Sequence, residues 1–210
     1  MASTRLLALA APLALAACAG DGDLTEFGIT TTRSACPLVS VPYATGDVTL
    51  LEAGRTDAAA IGATAAITNL RSTCTDEGAD VATSATYTVA ARRTDAAAAR
   101  TVTLPIFSTI VQGGRQVVAK RLGEATLSFA PGQLRAETAV TAGARVNRAA
   151  ATLPDDIRKQ VTRRRKSGDT DAAIDPLAVP EVRAAVERAT FELLVGFQLT
   201  DGQLAYNATR

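Results

Sequence analysis

Apolar and polar side chains alternate with a period of two over much of the chain beyond residue 80. In Val81 to Ala91 the odd positions Val81, Tyr87, Val89 and Ala91 share one face while Ser84, Thr86 and Thr88 take the other, which predicts a half-buried strand. Thr101 to Val111 puts Val102, Leu104, Ile106 and Ile110 on one side and Phe107 and Val111 on the other, as a central strand does. Pro105 has no N–H to give, so it must sit at a bulge or an edge. Gln112-Gly113-Gly114-Arg115 follows, and two glycines supply the positive φ angles of a tight hairpin turn. Residues 101–111 and 115–122 are therefore expected to pair antiparallel. Phe191 to Leu199 carries an apolar ladder on every second residue, Phe191, Leu193, Val195, Phe197 and Leu199. Weaker strand candidates are 37–42, 47–53, 60–71, 124–129 and 136–148. Many short strands separated by Gly, Asp and Pro predict a mainly β chain. The expected fold is an antiparallel β-sandwich, immunoglobulin-like or fibronectin-like, with a short helical insertion.

The insertion is predicted at about 154–190, where the period changes. Asp155 to Lys166 spaces Ile157 and Val161 four apart, starts with acids after Pro154 and ends on a basic run, the charge order that suits a helix dipole. Pro180 to Thr190 aligns Val182, Ala185, Val186 and Ala189 on one stripe with proline in the first turn, a second helix. Ser167 to Val179 between them is a polar loop. Thr200 to Gln203 has the form of a capping box opening a last helix, with Leu204 and Tyr206 available to dock on the sheet. Arg55-Thr56-Asp57-Ala58-Ala59 recurs at Arg93-Thr94-Asp95-Ala96-Ala97, but the residues between the copies do not match. Recurrent turn wording explains it better than a repeat.

The N-terminus adds an address. Arg5 precedes an apolar run from Leu6 to Ala17, too short for the roughly 20 residues that span a bilayer but suited to a secretory signal. The run ends in Leu15-Ala16-Ala17-Cys18, which resembles the lipobox of bacterial lipoproteins. That resemblance implies a signal peptide over 1–17, lipidation (palmitate included) at Cys18 and a mature chain that starts there. An ordinary signal cut nearby, leaving Cys18 as a free thiol, is the alternative. Ala19 follows in place of the aspartate associated with inner-membrane retention, so the outer membrane, facing the periplasm, is the expected location. Residues 18–35 are expected to form the lipidated start and a flexible tether, and 36–210 a single domain. With Cys18 assigned to lipid, Cys36 and Cys74 are left as a pair in an oxidising compartment, either a disulfide or two buried thiols.

Composition removes chemistries more than it suggests any. The 210 residues include no His, which excludes imidazole-based triads and the zinc sites that need imidazole. A balance of 22 basic against 21 acidic side chains lacks the excess that a nucleic-acid-coating protein uses. Neither Gly-x-Ser-x-Gly nor Ser-x-x-Lys is present, nor is a phosphate-binding glycine loop. Asp169, Asp171 and Asp175 fail the EF-hand pattern, since Ile174 stands where the turn glycine belongs, and Asp76, Glu77 and Asp80 around Gly78 suit a solvated turn. No catalytic residue, metal or cofactor is therefore expected. The uneven feature is the basic cluster Arg158, Lys159, Arg163, Arg164, Arg165 and Lys166. It is a candidate for docking an envelope protein or an anionic envelope surface, set against the simpler role of a solvated helix end beside the acids at 155, 156, 169, 171 and 175.

The segment Glu192 to Arg210, with Leu194 to Thr200 reading LVGFQLT and Gln203 to Asn207 reading QLAYN, is the most distinctive wording in the chain. Together with Cys36-Pro37, Cys74 and the Leu104-to-Val118 hairpin it resembles an uncharacterised family of alphaproteobacterial, sphingomonad-like lipoproteins. The resemblance covers most of the domain and implies the compartment and a β-rich fold, and it carries over no catalytic residue. The expected function is a lipid-anchored, periplasm-facing structural or adaptor protein of the cell envelope, not an enzyme. The alternative is a small-ligand or lipid carrier with a cavity between its sheets; a carboxylate-dependent hydrolase is a more distant third.

Overall fold

The computed structural model describes residues 34–209 apart from 53, 54, 56, 77, 164–167, 171 and 172, and two short strands before them. Those strands, β1 (Asp23–Thr25) and β2 (Gly28–Thr30), pair antiparallel with Asp23 opposite Thr30, inside the stretch expected to be a tether. Cys18 lies outside the described residues.

Eight strands follow in a second unit that begins at Ser34: β3 (Leu38–Ser40), β4 (Asp47–Leu51), β5 (Ile61–Thr75), β6 (Asp80–Arg93), β7 (Arg100–Gln112), β8 (Gln116–Phe129), β9 (Arg135–Asn147) and β10 (Phe191–Phe197). They form two four-stranded sheets, one ordered β3-β10-β7-β8 and the other β4-β5-β6-β9. All neighbours run antiparallel except β3, which lies parallel to β10. The chain is thus a β-sandwich, and the helices sit where the periodicity changes: α1 (Arg148–Ala151), α2 (Asp155–Thr162) and α3 (Pro180–Arg188) between β9 and β10, and α4 (Asp201–Ala208) at the end.

Alternation explains the packing. On β6 every odd residue from Val81 to Arg93 is buried, and on β10 the ladder Phe191, Leu193, Val195 and Phe197 is buried with it. Each of the large apolar ones, Val81, Val89, Phe191, Leu193, Val195 and Phe197, contributes about 1.5–3 kcal/mol by leaving water. The main core gathers Tyr87, Val89, Leu104, Leu127, Val195 and Phe197 between the sheets. A smaller cluster of Val81, Val146, Ala151 and Phe191 lies apart from it, with Cys36 packed alongside.

The hairpin predicted at Gly113-Gly114 is present, with φ of +61° and +70° at the two glycines and Gln112 opposite Gln116. Residues 115–122 and 124–129, expected as two strands, are one, because Gly123 sits opposite Ile106 without breaking the ladder. β5 likewise runs past residue 71 to Thr75, through a bulge at which Asn69 takes a φ of 58°. Pro105 lies just beyond the last β10–β7 pair, Phe197 with Ile106, and its carbonyl accepts from the Gln198 N–H at 2.9 Å. Its nitrogen therefore faces the side on which β10 has ended, and no ladder bond is lost. Gly196 is required by contact: a Cβ there would stand 2.6 Å from Thr45 Oγ1 and 2.8 Å from the Phe107 ring.

Helix α4 has the predicted capping box, Thr200 with Gln203. Of the two residues expected to dock, Leu204 is exposed and Tyr206 half-buried, and the buried residue of the helix is Asn207. Asn207 Nδ2 donates to the carbonyls of Ala44 (2.9 Å) and Asp47 (2.7 Å), so α4 satisfies backbone at the start of edge strand β4. The insertion is tied to the hairpin turn: Gln112 Nε2 donates to the Arg188 carbonyl, Gly113 N–H to the Thr190 carbonyl, and Arg115 pairs with Glu187 at 2.7 Å.

Candidate functional site

Cys36 and Cys74 form the expected disulfide, with Cα atoms 6.1 Å apart. Cys36 precedes β3 of one sheet and Cys74 ends β5 of the other, so the bridge joins the two layers. Of the basic cluster, Arg158 and Lys159 lie on α2, a helix with no buried residue, and Arg163 is its C-terminal cap. Arg158 turns back to Asp155 at 2.6 Å. Arg164, Arg165 and Lys166 lie outside the described residues, as do Glu77 and Asp171. The acidic turn at 76–80 is occupied by Arg148, which pairs with Asp76 at 2.8 Å and donates through Nε to the Gly78 carbonyl. Asp175 Oδ1 accepts from the Leu177 N–H at 2.9 Å and caps a single 3-10 turn.

The feature that the sequence did not announce is the exposure of the distal half of β8. Its inward positions Phe129, Leu127 and Ala125 are buried, yet the next ones in the same column, Gly123, Arg121 and Ala119, are exposed. From Gln116 to Glu124 every residue is exposed, including Val117, Val118 and Leu122, of which Leu122 is 68% exposed. β8 is an edge strand that pairs only with β7 among the described residues, so its outer backbone groups face solvent. On the outer side Leu122 stands opposite Phe107, and the Lys120 ammonium lies 5.4 Å from that ring.

Because the distal half of β8 leaves the core, the sandwich is open between β8 and the β6–β9 pair. A cleft of about 530 Å³ there is lined by Thr83, Ile110, Ala119, Arg121, Ala144 and Arg145 among others, and reaches Thr73 and Thr75 of β5. A neighbouring pocket of about 220 Å³ shares Arg121 and has Tyr87, Ile106, Val140 and Ala142 on its walls. No acidic side chain lines either space. Neither Arg121 nor Arg145 has an ion-pair partner among the described residues. Thr83 is only 4% exposed, and its buried Oγ1 makes no hydrogen bond. It separates Val81 of the small cluster from Ala85 of the main core, at the point where the packing is discontinuous. Burial also pushes the Tyr87 phenol above its ordinary pKa.

A larger depression of about 810 Å³ crosses the outer face of the other sheet. Its floor follows the register, with Asp47, Ala66, Ala90 and Glu137 in one row and Thr49, Thr64, Arg92 and Arg135 in the next. Small residues make this a shallow trough with both charge signs present, and nothing in it is left buried without a partner.

Arg93 is the second residue that pattern reading missed. It is 2% exposed, and its guanidinium donates to four carbonyls, those of Gln133, Ala98, Ala96 and Ala130, while lying 5.1 Å from the Phe129 ring. It has no carboxylate partner among the described residues and works as a knot for the loops at 94–99 and 130–134. With this geometry in hand, comparison with known proteins finds no match to any family model, curated protein or solved structure.

Proposed function

We propose that this chain is a lipid-anchored, periplasm-facing adaptor of the cell envelope, without enzymatic activity, that docks a partner protein along β8. The anchoring part rests on the apolar run to Ala17 and on Cys18 at its end. The docking part rests on one observation, the uninterrupted exposure of Gln116–Glu124 on an edge strand. An extended segment of a partner would add to that edge through backbone hydrogen bonds, with Val118 and Leu122 giving apolar contact. Lys120 and Arg121 against Glu124 leave the edge basic, which favours a partner segment carrying acids and disfavours pairing with a second copy. The exposed basic end of α2 is the competing surface, and its folded-in pair Arg158–Asp155 weakens that claim.

The test is in-cell crosslinking of the tagged protein followed by mass spectrometry, comparing wild type, Lys120→Glu with Leu122→Glu, and Arg158→Glu with Lys159→Glu. All four positions are exposed, so each variant is expected to melt within a few degrees of wild type. A defined partner that is lost only in the β8 variant is the expected result. Loss in the α2 variant alone would move the interface to the helix, and the absence of any partner would remove the adaptor role.

A further inference from the structure

We propose that the cleft between the distal half of β8 and the β6–β9 pair is a binding site for a small anionic amphiphile. Three observations converge there. The space, about 530 Å³ with a further 220 Å³ beside it, is in the range that small ligands occupy. Its charge is one-signed, since Arg121 borders both parts and no acid lines either. The Thr83 hydroxyl, more than nine-tenths buried and facing between the sheets, has no hydrogen-bond partner among the described residues. A buried hydroxyl without a hydrogen bond is destabilising, and a valine would fill the same volume without that cost. A polar atom placed there is explained by a ligand that accepts from it.

The register assigns the parts of the ligand. Arg121 is opposite Ser108 and in the same inward column as Ala125 and Leu127, so its guanidinium is carried on the cleft side of β8. It is the group to meet a carboxylate or a phosphate. Ile106, Tyr87 and Val140, on the walls of the adjoining pocket, take the apolar portion. This is the cavity that a carrier needs: the ligand enters between the sheets, whereas a partner strand meets the outer backbone of β8 and the side chain of Lys120, and Leu122, which also lines the smaller pocket, is shared by the two.

The full chain, isotopically labelled, is titrated with decanoate, decyl phosphate and 1-decanol below their aggregation concentrations, and backbone amide shifts are followed. Saturable shifts confined to residues around Thr83, Arg121 and Val140 are expected for at least one of the two anions, with decanol at least tenfold weaker. The anion that binds more tightly identifies the head group as a carboxylate or a phosphate ester. Arg121→Gln is expected to weaken the anions about tenfold and leave decanol unchanged. Thr83→Val is expected to weaken them several-fold while raising the melting temperature, a combination that a purely structural threonine would not produce. Equal binding of decanol and the anions, indifference to Arg121→Gln, or no saturable shift with any of the three would each overturn the proposal.

Discussion

Arg55 and Arg93 open the same pentapeptide and have opposite fates. In both copies the aspartate two residues on accepts from a backbone N–H, Asp57 from Ala59 at 3.1 Å and Asp95 from Ala97 at 2.9 Å. The shared wording therefore encodes a turn, and nothing more. Arg55 stays at the surface with Glu52 and Asp57, whereas Arg93 occupies the last inward position of β6. Replacing Arg93 by Leu removes the guanidinium's bonds to four carbonyls, of which those of Ala96 and Ala130 keep the N–H groups of Gly132 and Gln133, so a loss of about 1–3 kcal/mol is expected in urea unfolding. Arg55→Leu is expected within about 0.5 kcal/mol of wild type, as exposed ion pairs contribute little. Equal losses would show that the buried guanidinium is replaceable. Both surprises of the site, Thr83 and Arg93, belong to a column that is otherwise apolar: Val81, Ala85, Tyr87, Val89 and Ala91. The period-two pattern marks them as polar residues at inward positions. What it cannot supply is the partner, because carbonyls from 96, 98, 130 and 133 come together only after two loops have folded.

At the scale of elements, alternation and turn chemistry make the edges of β6, β7, β9 and β10 readable to within two residues, since each is buried on at least one face and the glycine pair fixes the hairpin register. β8 defeats the same logic. A strand whose distal half leaves the core has no need to alternate, and Val117-Val118 followed by Lys120-Arg121 carries no period. Burial depends on where the opposite sheet is, which no local window contains. Helix α4 shows the intermediate case: its start is written in Thr200 and Gln203, but its attachment through Asn207 depends on carbonyls about 160 residues away. Two effects then follow from two substitutions. Thr200→Ala removes the cap and is expected to cost about 1 kcal/mol. Asn207→Ala removes one bond to Asp47 of β4 and one to Ala44 just before it, and is expected to cost about 1–3 kcal/mol and to speed hydrogen exchange in both α4 and β4, while Thr200→Ala speeds it in α4 alone. Unchanged exchange in β4 after Asn207→Ala would mean that the helix does not protect that edge.

The unit that begins at Ser34 has two layers, packed closely around the main core and open beside the distal half of β8, and the Cys36–Cys74 bridge, the covalent link between them among the described residues, stands near that opening. Cys74 is the cross-strand neighbour of Thr83, and Cys36 packs with the small cluster of Val81, Val146, Ala151 and Phe191. The bridge spans 38 residues of sequence, for which chain entropy alone gives about 4 kcal/mol of stabilisation. If restricting the unfolded chain were its whole effect, replacing both cysteines by serine would lower the global stability and leave the pattern of local opening as it was. The position of the bridge argues for a second effect, because the main core holds the sheets together on one side of Thr83, while on the other the small cluster and the disulfide do so, joined to the main core through Ile110. Local opening without the bridge should therefore begin at the small cluster. Hydrogen exchange under native conditions is expected to accelerate first at Val81, Thr83 and Val146 in Cys36→Ser with Cys74→Ser, before Leu193 and Val195 respond, and the cleft should lose its affinity for anions along with that protection. Acceleration spread evenly over both groups of amides would reduce the disulfide to a chain-entropy constraint and detach it from the cleft.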